Sequence, residues 1–258
     1  MKTLKLIKIG GNVIDDPSEL EDFMVRFSKI DAPKVLVHGG GKMTSALSEK
    51  IGLTVKMVNG RRITDEKTLD VAVQVYAGLI NKKLAAKLQG YQCNAIGLSG
   101  ADMNIIPAEK RKVKTIDFGF VGDFRYKNIN TEHLNLLIEA GITPVFCAIT
   151  HDSSGQLLNT NADTIASGLA IALSAHYQIE LSFCFDKKGV LADVNNDDSV
   201  LSQLNWMTYL QLKESGKIHE GMIPKLENAF YAKKNGVKSI SIKHARNAFE
   251  QSGTELSM

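Results

Sequence analysis

The chain has 258 residues, of which 44% are hydrophobic and 23% charged, with a formal net charge of +3 at pH 7. This composition excludes a disordered or fibrous protein, and the small, scattered charge gives no support for a nucleic-acid partner. The three cysteines lie far apart, no apolar run reaches membrane-spanning length and no leader segment opens the chain, so we expect a cytoplasmic protein that binds no membrane.

Strand-length apolar runs alternate with segments of helical period, which predicts a mostly parallel sheet covered by helices on both faces. The first strand contains LIKI and ends at Gly10 and Gly11. Asp16 is expected to cap the next helix, with Pro17 at its first position and Glu19 completing a capping box. The pattern therefore predicts an α/β fold, a three-layer αβα sandwich with a central, open, mostly parallel sheet.

The next elements continue the alternation as far as residue 100. A strand KVLVH precedes three glycines, a helix is expected from near Lys42, a long helix covers 65–88, and NAIGLSG reads as a buried strand. Between residues 102 and 127 the pattern changes to short β-branched pieces with one proline, which indicates β-hairpins in place of a crossover helix.

The second half of the chain returns to alternating strands and helices. The expected elements are a helix at 131–140, strand TPVFCAI, a turn at HDSSGQ, a helix from near Asn161, strand IELSFCF, a helix around Trp206, a helix at 225–235, strand KSISI and a final short helix. The topology predicts two lobes, 1–175 and 176–258.

Lys8 lies inside the first apolar strand, where its ammonium must find a negative partner or lose free energy by desolvation. Glycine-rich turns follow three of the expected strands, at Gly10 and Gly11, at residues 39–41, and at Gly97 and Gly100. Strand carboxyl ends line the ligand crevice of an open α/β sheet, and helix N-termini there bind anions. Together the turns predict a cradle for an anionic ligand.

Three further groups of polar residues can be explained in two ways. Asn159, Asn161 and Asp163 surround a helix start, where one N-cap and one first-turn acid would be an ordinary arrangement. Lys225 follows a proline at a helix start, where the helix dipole slightly disfavours a cation that is not offset by an anion. Arg61 and Arg62 precede a long helix and are either a surface pair or partners for a carboxylate.

Several familiar motifs are excluded by their spacing. HGGGKMT lacks the first glycine and the Ser or Thr of a P-loop, and no G-x-G-x-x-G follows a strand. His219 and Glu220 are not followed by the second histidine of a zinc site. No cluster of carboxylates indicates a resident metal.

The ordered set of short motifs resembles that of the acetylglutamate kinases, a branch of the amino acid kinase family. The motifs are KIGGN, VHGGGK, NGRRIT, GLSGAD, DFGFVGD, NTNADT, GMIPKL and SGTEL, and they span nearly the whole chain. The resemblance implies transfer of the ATP γ-phosphoryl group to the side-chain carboxylate of N-acetyl-L-glutamate, the second step of arginine biosynthesis. It also implies Mg²⁺ carried on the nucleotide. A glutamate carboxylate is already ionised at neutral pH, so the reaction requires no general base.

The resemblance also implies a role for each matching residue. Lys8 would hold the transferred phosphoryl group, Lys225 would neutralise charge on the leaving ADP, and Asp163 would position both lysines. The residues implied to bind ATP are Lys8, Gly10, Gly11, Asp186 and Lys225. Those implied to bind the acylglutamate are Gly40, Gly41, Arg62 and Asn159.

The chain departs from the family pattern at Met103, Glu220 and Phe124. Met103 and Phe124 fall where relatives border the acyl group, so N-succinyl-L-glutamate remains a possible substrate beside N-acetyl-L-glutamate. The residues also leave open a sibling kinase acting on free glutamate, carbamate or a nucleotide, and a non-catalytic sensor of nucleotides or amino acids. Because the sequence starts directly at a strand, without the extra helix of arginine-inhibited relatives, the resemblance implies a homodimer without arginine feedback.

Overall fold

A computed structural model describes residues 1–58, 61–193, 195–218 and 221–258. His219 and Glu220 lie outside the described residues, as does Gly60 of the NGRRIT motif.

The strands fall into one large sheet and small two-stranded ribbons. In chain order they are β1 (Thr3–Ile9), β2 (Lys34–His38), β3 (Met57–Val58), β4 (Arg61–Arg62), β5 (Ala95–Leu98), β6 (Glu109–Lys110), β7 (Gly122–Asp123), β8 (Thr143–Phe146), β9 (Ile149–His151), β10 (Leu157–Asn159), β11 (Gln178–Phe185), β12 (Gln203–Asn205), β13 (Ser239–His244) and β14 (Thr254–Ser257). Over the described residues the large sheet has the order β12-β14-β13-β11-β1-β2-β8-β5.

The α-helices connect these strands. In chain order they are α1 (Gly11–Asp15), α2 (Pro17–Ser28), α3 (Gly41–Lys50), α4 (Glu66–Val73), α5 (Asn81–Gly90), α6 (Thr131–Glu139), α7 (Ala162–Leu173), α8 (Trp206–Glu214) and α9 (Ile223–Lys234).

The large sheet is mostly parallel and covered on both faces, as predicted. Its neighbouring strands pair in parallel except for β13 and β14. Leu6 and Ile7 point to opposite faces of β1, yet both are buried, so both faces are packed. α7 contacts β1, β2 and β11, α9 contacts β13 and β14, and α5 contacts β5 and β8. The α/β sandwich expected from the alternating pattern is confirmed.

The start of α2 shows where local rules succeed and fail. The Asp16 carboxylate accepts hydrogen bonds from the Ser18 and Glu19 N–H groups, so the predicted cap and the proline at the first position are confirmed. The Glu19 carboxylate does not complete a capping box. It lies 3.2 Å from Arg246 Nη2 instead, because the fold brings the distant basic segment to this helix.

The long helix predicted at 65–88 is continuous but not uniform. It begins after the Asp65 cap and runs to residue 90, with a π-helical segment, Gln74–Ile80, between α4 and α5. π segments cluster near functional sites because they reorient side chains without breaking the helix. Here the segment directs Tyr76 and Ile80 toward the glycine turn at the end of β2.

Two other predictions need correction, and one is confirmed. The run TPVFCAI forms two short strands, β8 and β9, since the chain leaves the large sheet after Phe146. The buried strand predicted at NAIGLSG is confirmed as β5, which lies at the edge of the sheet. The chain does not end in a helix. A short 3₁₀ turn, Ala245–Asn247, is followed by β14, a strand that the sequence pattern did not reveal.

Candidate active site

Three charged residues meet at the centre of the molecule. Lys8 Nζ lies 2.7 Å from Asp163 Oδ1, and Lys225 Nζ lies 3.4 Å from the same oxygen. All three residues are buried. One carboxylate between two ammonium groups leaves one positive charge without compensation. An anionic ligand bound beside the cluster would supply the missing negative charge.

The three residues come from separate elements that only the fold brings together. Lys8 lies near the carboxyl end of β1, Asp163 in the first turn of α7, and Lys225 in the first turn of α9. The Asn161 side chain accepts a hydrogen bond from the Thr164 N–H, so the capping of α7 falls to Asn161 and leaves Asp163 free for the lysines.

The pKa values of Asp163 and Lys225 are shifted in this cluster. Burial favours a raised pKa for Asp163, but the charges of Lys225 and Lys8 and their hydrogen bonds outweigh burial and lower it to about 2. Burial lowers the pKa of Lys225 to about 8, against the opposing effect of Asp163. At neutral pH the carboxylate is ionised, and Lys225 is charged but close to its titration range.

A cavity of about 220 Å³ opens on one side of the cluster. It is lined by Lys8 and Asp163, by the glycine turns at Gly11 and residues 39–41, and by Arg62 and Asn159. Arg62 Nη2 donates to the Gly41 carbonyl and to Ser45 Oγ, whereas the buried Arg62 Nη1 has no partner within the described part of the chain. An unpaired, buried guanidinium nitrogen on a cavity wall is a site for a carboxylate.

Asn159 is fixed beside this arginine. Its Nδ2 donates to Thr64 Oγ1 at 3.0 Å, and Thr64 Oγ1 donates to the Arg62 carbonyl at 3.1 Å. The two predicted substrate residues therefore belong to one hydrogen-bonded wall, although they lie far apart in the chain.

The glycine turn after β2 is held in place by close packing. A Cβ atom on Gly40 would collide with Ile80 Cδ1 and lie 3.0 Å from Tyr76 Cδ1. Gly40 therefore allows the π-helical segment to press against the turn. Gly41 opens α3, so the N–H groups of its first turn have no carbonyl partner within the helix.

A buried histidine supports the same turn. His38 Nδ1 lies 2.8 Å from the Gly39 carbonyl, and Nε2 lies 3.0 Å from Asn81 Nδ2. Because the Asn81 amide nitrogen can only donate, Nε2 accepts and Nδ1–H donates to Gly39. Burial lowers the pKa of His38 to about 4, so the ring is neutral at pH 7.

A second cavity, of about 410 Å³, lies on the other side of Lys225. Its walls include the apolar side chains of Val190, Leu191 and Met222, and its rim carries Asp186 and Asn12. Asn12 Nδ2 donates to Asp186 Oδ2 at 2.6 Å. The charged cluster therefore separates two cavities, one lined by three arginines and the other largely apolar.

The structure brings most of the predicted site residues to these two cavities. Gly10 is an exception, since it lines neither cavity and its N–H donates to the Cys184 carbonyl at 3.0 Å. Its predicted role in ATP binding therefore depends on close backbone approach and stays a prediction.

The acyl-pocket hypothesis for Met103 and Phe124 finds no support. Neither side chain lines the cavity that holds Arg62. Met103 is exposed in a left-handed turn, and Phe124 packs over Gly168.

Sequence reasoning missed several residues of the cavities. Tyr76, Arg111 and Val121 line the cavity with Arg62, and Asn12 lines the other. Arg111 and Val121 belong to the irregular region 102–127. This region has no helical or strand periodicity from which to predict which residues face a cavity. Arg61, next to Arg62, also lines the first cavity.

The described residues form neither a metal-ligand cluster nor a membrane-spanning helix. Among the residues placed by the structure, no three His, Cys, Asp or Glu side chains come together as a metal site, and no helix combines the length and hydropathy needed to cross a bilayer. Cys93, Cys147 and Cys184 are buried free thiols.

Comparison with known proteins adds independent information. The profile of the amino acid kinase family matches residues 3–244. An acetylglutamate kinase of Cytophaga hutchinsonii is 49% identical over 97% of this chain and 94% of its own, and one of Parabacteroides distasonis is 47% identical over 99% and 100%. The crystal structure of smu.665 from Streptococcus mutans UA159 superposes with a TM-score of 0.83 at 26% identity, covering 98% of both chains.

Proposed function

Because this chain belongs to the amino acid kinase family, we propose that it is an ATP-dependent phosphotransferase acting on the side-chain carboxylate of N-acetyl-L-glutamate. A carboxylate oxygen attacks the γ-phosphorus, the bond to the β,γ-bridging oxygen breaks, and its electron pair leaves with ADP. The products are an acyl phosphate and ADP, as in the second step of arginine biosynthesis.

The observation that carries this proposal is the position of the Lys8–Asp163–Lys225 cluster between the two cavities. Two substrates that are both anions repel each other, so their reaction depends on alignment and on neutralised charge. Lys8 faces the first cavity and stabilises the transferred phosphoryl group. Lys225 faces the second and neutralises charge that develops on the leaving ADP. Asp163 holds both ammonium groups in position.

The first cavity suits the amino acid substrate. The free Arg62 Nη1 and the Asn159 side chain form the wall that would bind its α-carboxylate end. The N–H groups of the Gly40–Gly41 turn would then face the reacting carboxylate and phosphoryl oxygens. A substrate bound in this way points its side chain toward Lys8.

The second cavity suits the nucleotide. Its apolar walls fit a base and its mouth reaches Lys225, while Asp186 and Asn12 supply polar contacts at the rim. Mg²⁺ would arrive on the ATP phosphates and offset their charge, consistent with a site whose own side chains are mainly cationic.

The two cavities also support the proposed lobes. The first is lined entirely by residues up to 163, and the second mainly by residues from 185 onward. We therefore assign acylglutamate binding to residues 1–175 and ATP binding to 176–258. We further propose a cytoplasmic homodimer. The buried free thiols agree with a reducing compartment.

The test is hydroxylamine trapping of the acyl phosphate, with ATP and Mg²⁺ and either N-acetyl-L-glutamate or free L-glutamate. We expect hydroxamate from the N-acyl substrate only, and its loss in Lys8→Ala. The exposed Lys50→Ala variant serves as the control, since it removes a lysine far from both cavities. ATP binding without hydroxamate from any acceptor would favour a non-catalytic sensor.

A further inference from the structure

The cavity that holds Arg62 contains more positive charge than the proposed substrate uses. Besides Lys8 and Arg62, its lining includes Arg61 and Arg111. N-acetyl-L-glutamate brings two carboxylates, one for Arg62 and one that receives the phosphoryl group. Each remaining cation therefore needs another partner.

Arg111 has a partner in the protein. Its Nε lies 3.0 Å from Asp123 Oδ2, and its Nη2 lies 2.5 Å from Asp123 Oδ1, which is a two-pronged arginine–carboxylate pair. Its guanidinium also lies over the Phe118 ring, at 5.3 Å from the centroid. Arg111 is therefore neutralised and held in one orientation on the cavity wall.

Arg61 has no such partner in the part of the chain that the structure describes. Among the described residues its side chain makes no hydrogen bond or ion pair, although it is partly buried. Two carboxylates lie near enough to act on it, but Asp123 is engaged by Arg111, and Glu227 lies 2.7 Å from Lys213 Nζ. Burial, followed by the neighbouring charge of Arg111, lowers the pKa of Arg61, so its cationic form lacks sufficient compensation.

Arg61 lies apart from the groups that would bind the phosphates, so we expect it to bind a different part of the substrates. It lines the substrate cavity and not the second cavity, where the nucleotide would bind. The phosphoryl end of the substrate cavity is marked by Lys8, Asp163 and the glycine turns. Arg61 directly precedes Arg62 in β4, and both side chains line this cavity, so we place Arg61 at the end that binds the amino acid backbone and the group on its nitrogen.

We infer that the preferred substrate carries an N-acyl group that itself ends in a carboxylate, bound by Arg61 and exemplified by N-succinyl-L-glutamate. The inference rests on the proposed function and names the acyl class within it. A third carboxylate supplies the anion that Arg61 lacks, whereas an acetyl methyl group would leave that guanidinium partly desolvated and unpaired. The pair formed by Arg111 and Asp123 keeps the neighbouring wall from competing for the same anion.

The experiment compares kcat/KM for N-succinyl-L-glutamate and for its terminal monoamide, measured by hydroxamate formation. The two compounds have nearly the same size and differ in one charge, so their ratio isolates recognition of the acyl carboxylate. A hydrogen bond to a charged group is worth about 10- to 100-fold, and we expect a ratio in that range for the natural protein.

Arg61→Leu should bring this ratio close to one, and Arg61→Lys should keep part of it. The ratio is the readout because any loss common to both compounds cancels. Arg125→Leu is the matched control, since Arg125 is an exposed arginine of the same region that does not line the substrate cavity. It should retain the full ratio.

The outcomes separate this inference from the proposed function. Equal turnover of the acid and the amide, or an unchanged ratio in Arg61→Leu, would overturn the inference while N-acetyl-L-glutamate turnover still supported the kinase. Absence of hydroxamate with every N-acylglutamate would overturn the proposed function itself.

Discussion

At the scale of single residues, Asp163 is the residue on which the charge balance of the site depends most. It lies between two ammonium groups, and its pKa is lowered to about 2 because the lysines outweigh burial. Its removal would leave two buried cations facing each other. Breaking a buried ion pair in this way costs far more than a surface pair is worth.

We expect Asp163→Asn to lower kcat by about 100-fold, since both lysines lose the group that positions them. The free energy of unfolding should fall by about 3–5 kcal/mol, measured by urea denaturation at pH 7. Asp70→Asn, on the exposed side of α4, is the control and should change neither quantity. Full activity in Asp163→Asn would contradict the assigned role.

Lys225 should give the enzyme an alkaline limit. Burial lowers its pKa to about 8, so above this pH a growing fraction of free enzyme has a neutral amine that cannot offset charge on ADP. We expect kcat/KM for ATP to fall above pH 8, approaching tenfold per pH unit. The corresponding limb of kcat should lie at higher pH, because bound phosphates favour the charged amine.

Lys225→Arg tests this assignment, since a guanidinium stays charged throughout the range. The variant should be slower at pH 7 but should lack the alkaline limb. If the limb persisted at the same pH in Lys225→Arg, another group would have to account for it.

At the scale of elements, the glycine turn after β2 depends on the π-helical segment packed against it. Gly40→Ala places a methyl group against Ile80 Cδ1 and Tyr76. We expect a loss of kcat of about 100-fold, because the turn must move away from the reacting groups. Circular dichroism should show an unchanged fold.

Ile80→Val removes Cδ1, the atom with which the methyl group of Gly40→Ala would collide. It is therefore the matched second substitution. By itself it should cost about 1 kcal/mol of stability and little activity. In the double variant we expect part of the lost kcat to return, although Tyr76 still limits the space. If kcat did not recover in the double variant, the collision with Ile80 would not be the cause of the loss in Gly40→Ala.

His38 connects the same turn to α5 and should make stability depend on pH. Its folded pKa of about 4 is below the ordinary value of 6.5, so the neutral ring stabilises the fold above pH 6.5. This contribution is lost as the pH falls from 6.5 to 4, because the unfolded chain binds the proton first. The full loss amounts to about 3 kcal/mol.

Urea unfolding between pH 4 and 7 measures this effect. His38→Gln should be less stable at pH 7 and should flatten the dependence in that window, whereas His176→Gln, at an exposed turn, should retain it. A slope unchanged by His38→Gln would assign the effect to other groups.

At the scale of the whole molecule, the charged cluster lies between two cavities that are lined mainly by different parts of the chain. Each ligand should therefore raise Tm independently. Arg62→Gln should abolish the shift caused by N-acetyl-L-glutamate and keep that caused by a non-hydrolysable ATP analogue. Asp186→Ala should weaken the nucleotide shift only. Loss of both shifts in either variant would contradict the assignment of one ligand to each lobe.

The sequence by itself determined most helices, strands and caps of this protein, because these depend on residue patterns that are local and periodic. The cap at Asp16, the strand containing Lys8 and the helix after Asn161 follow from side-chain pattern and hydrogen-bonding chemistry over a few residues. The ordered motifs also predicted the family, and the comparisons confirm it. The same local evidence missed β14, a short strand that depends on the neighbours β12 and β13 for its pairing.

Only the tertiary structure decided which of these residues share a cavity. The family resemblance implied that Asp163 positions Lys8 and Lys225, but the contacts themselves form because β1, α7 and α9 converge, and the spacing of these residues along the chain does not give their distances. The family resemblance located the acyl group near Met103 and Phe124, but neither side chain lines the cavity that holds Arg62, whereas Arg61 and Arg111 do. Charge compensation is a property of three-dimensional neighbours, so only the structure shows that Arg61 has no hydrogen bond or ion pair among the described residues.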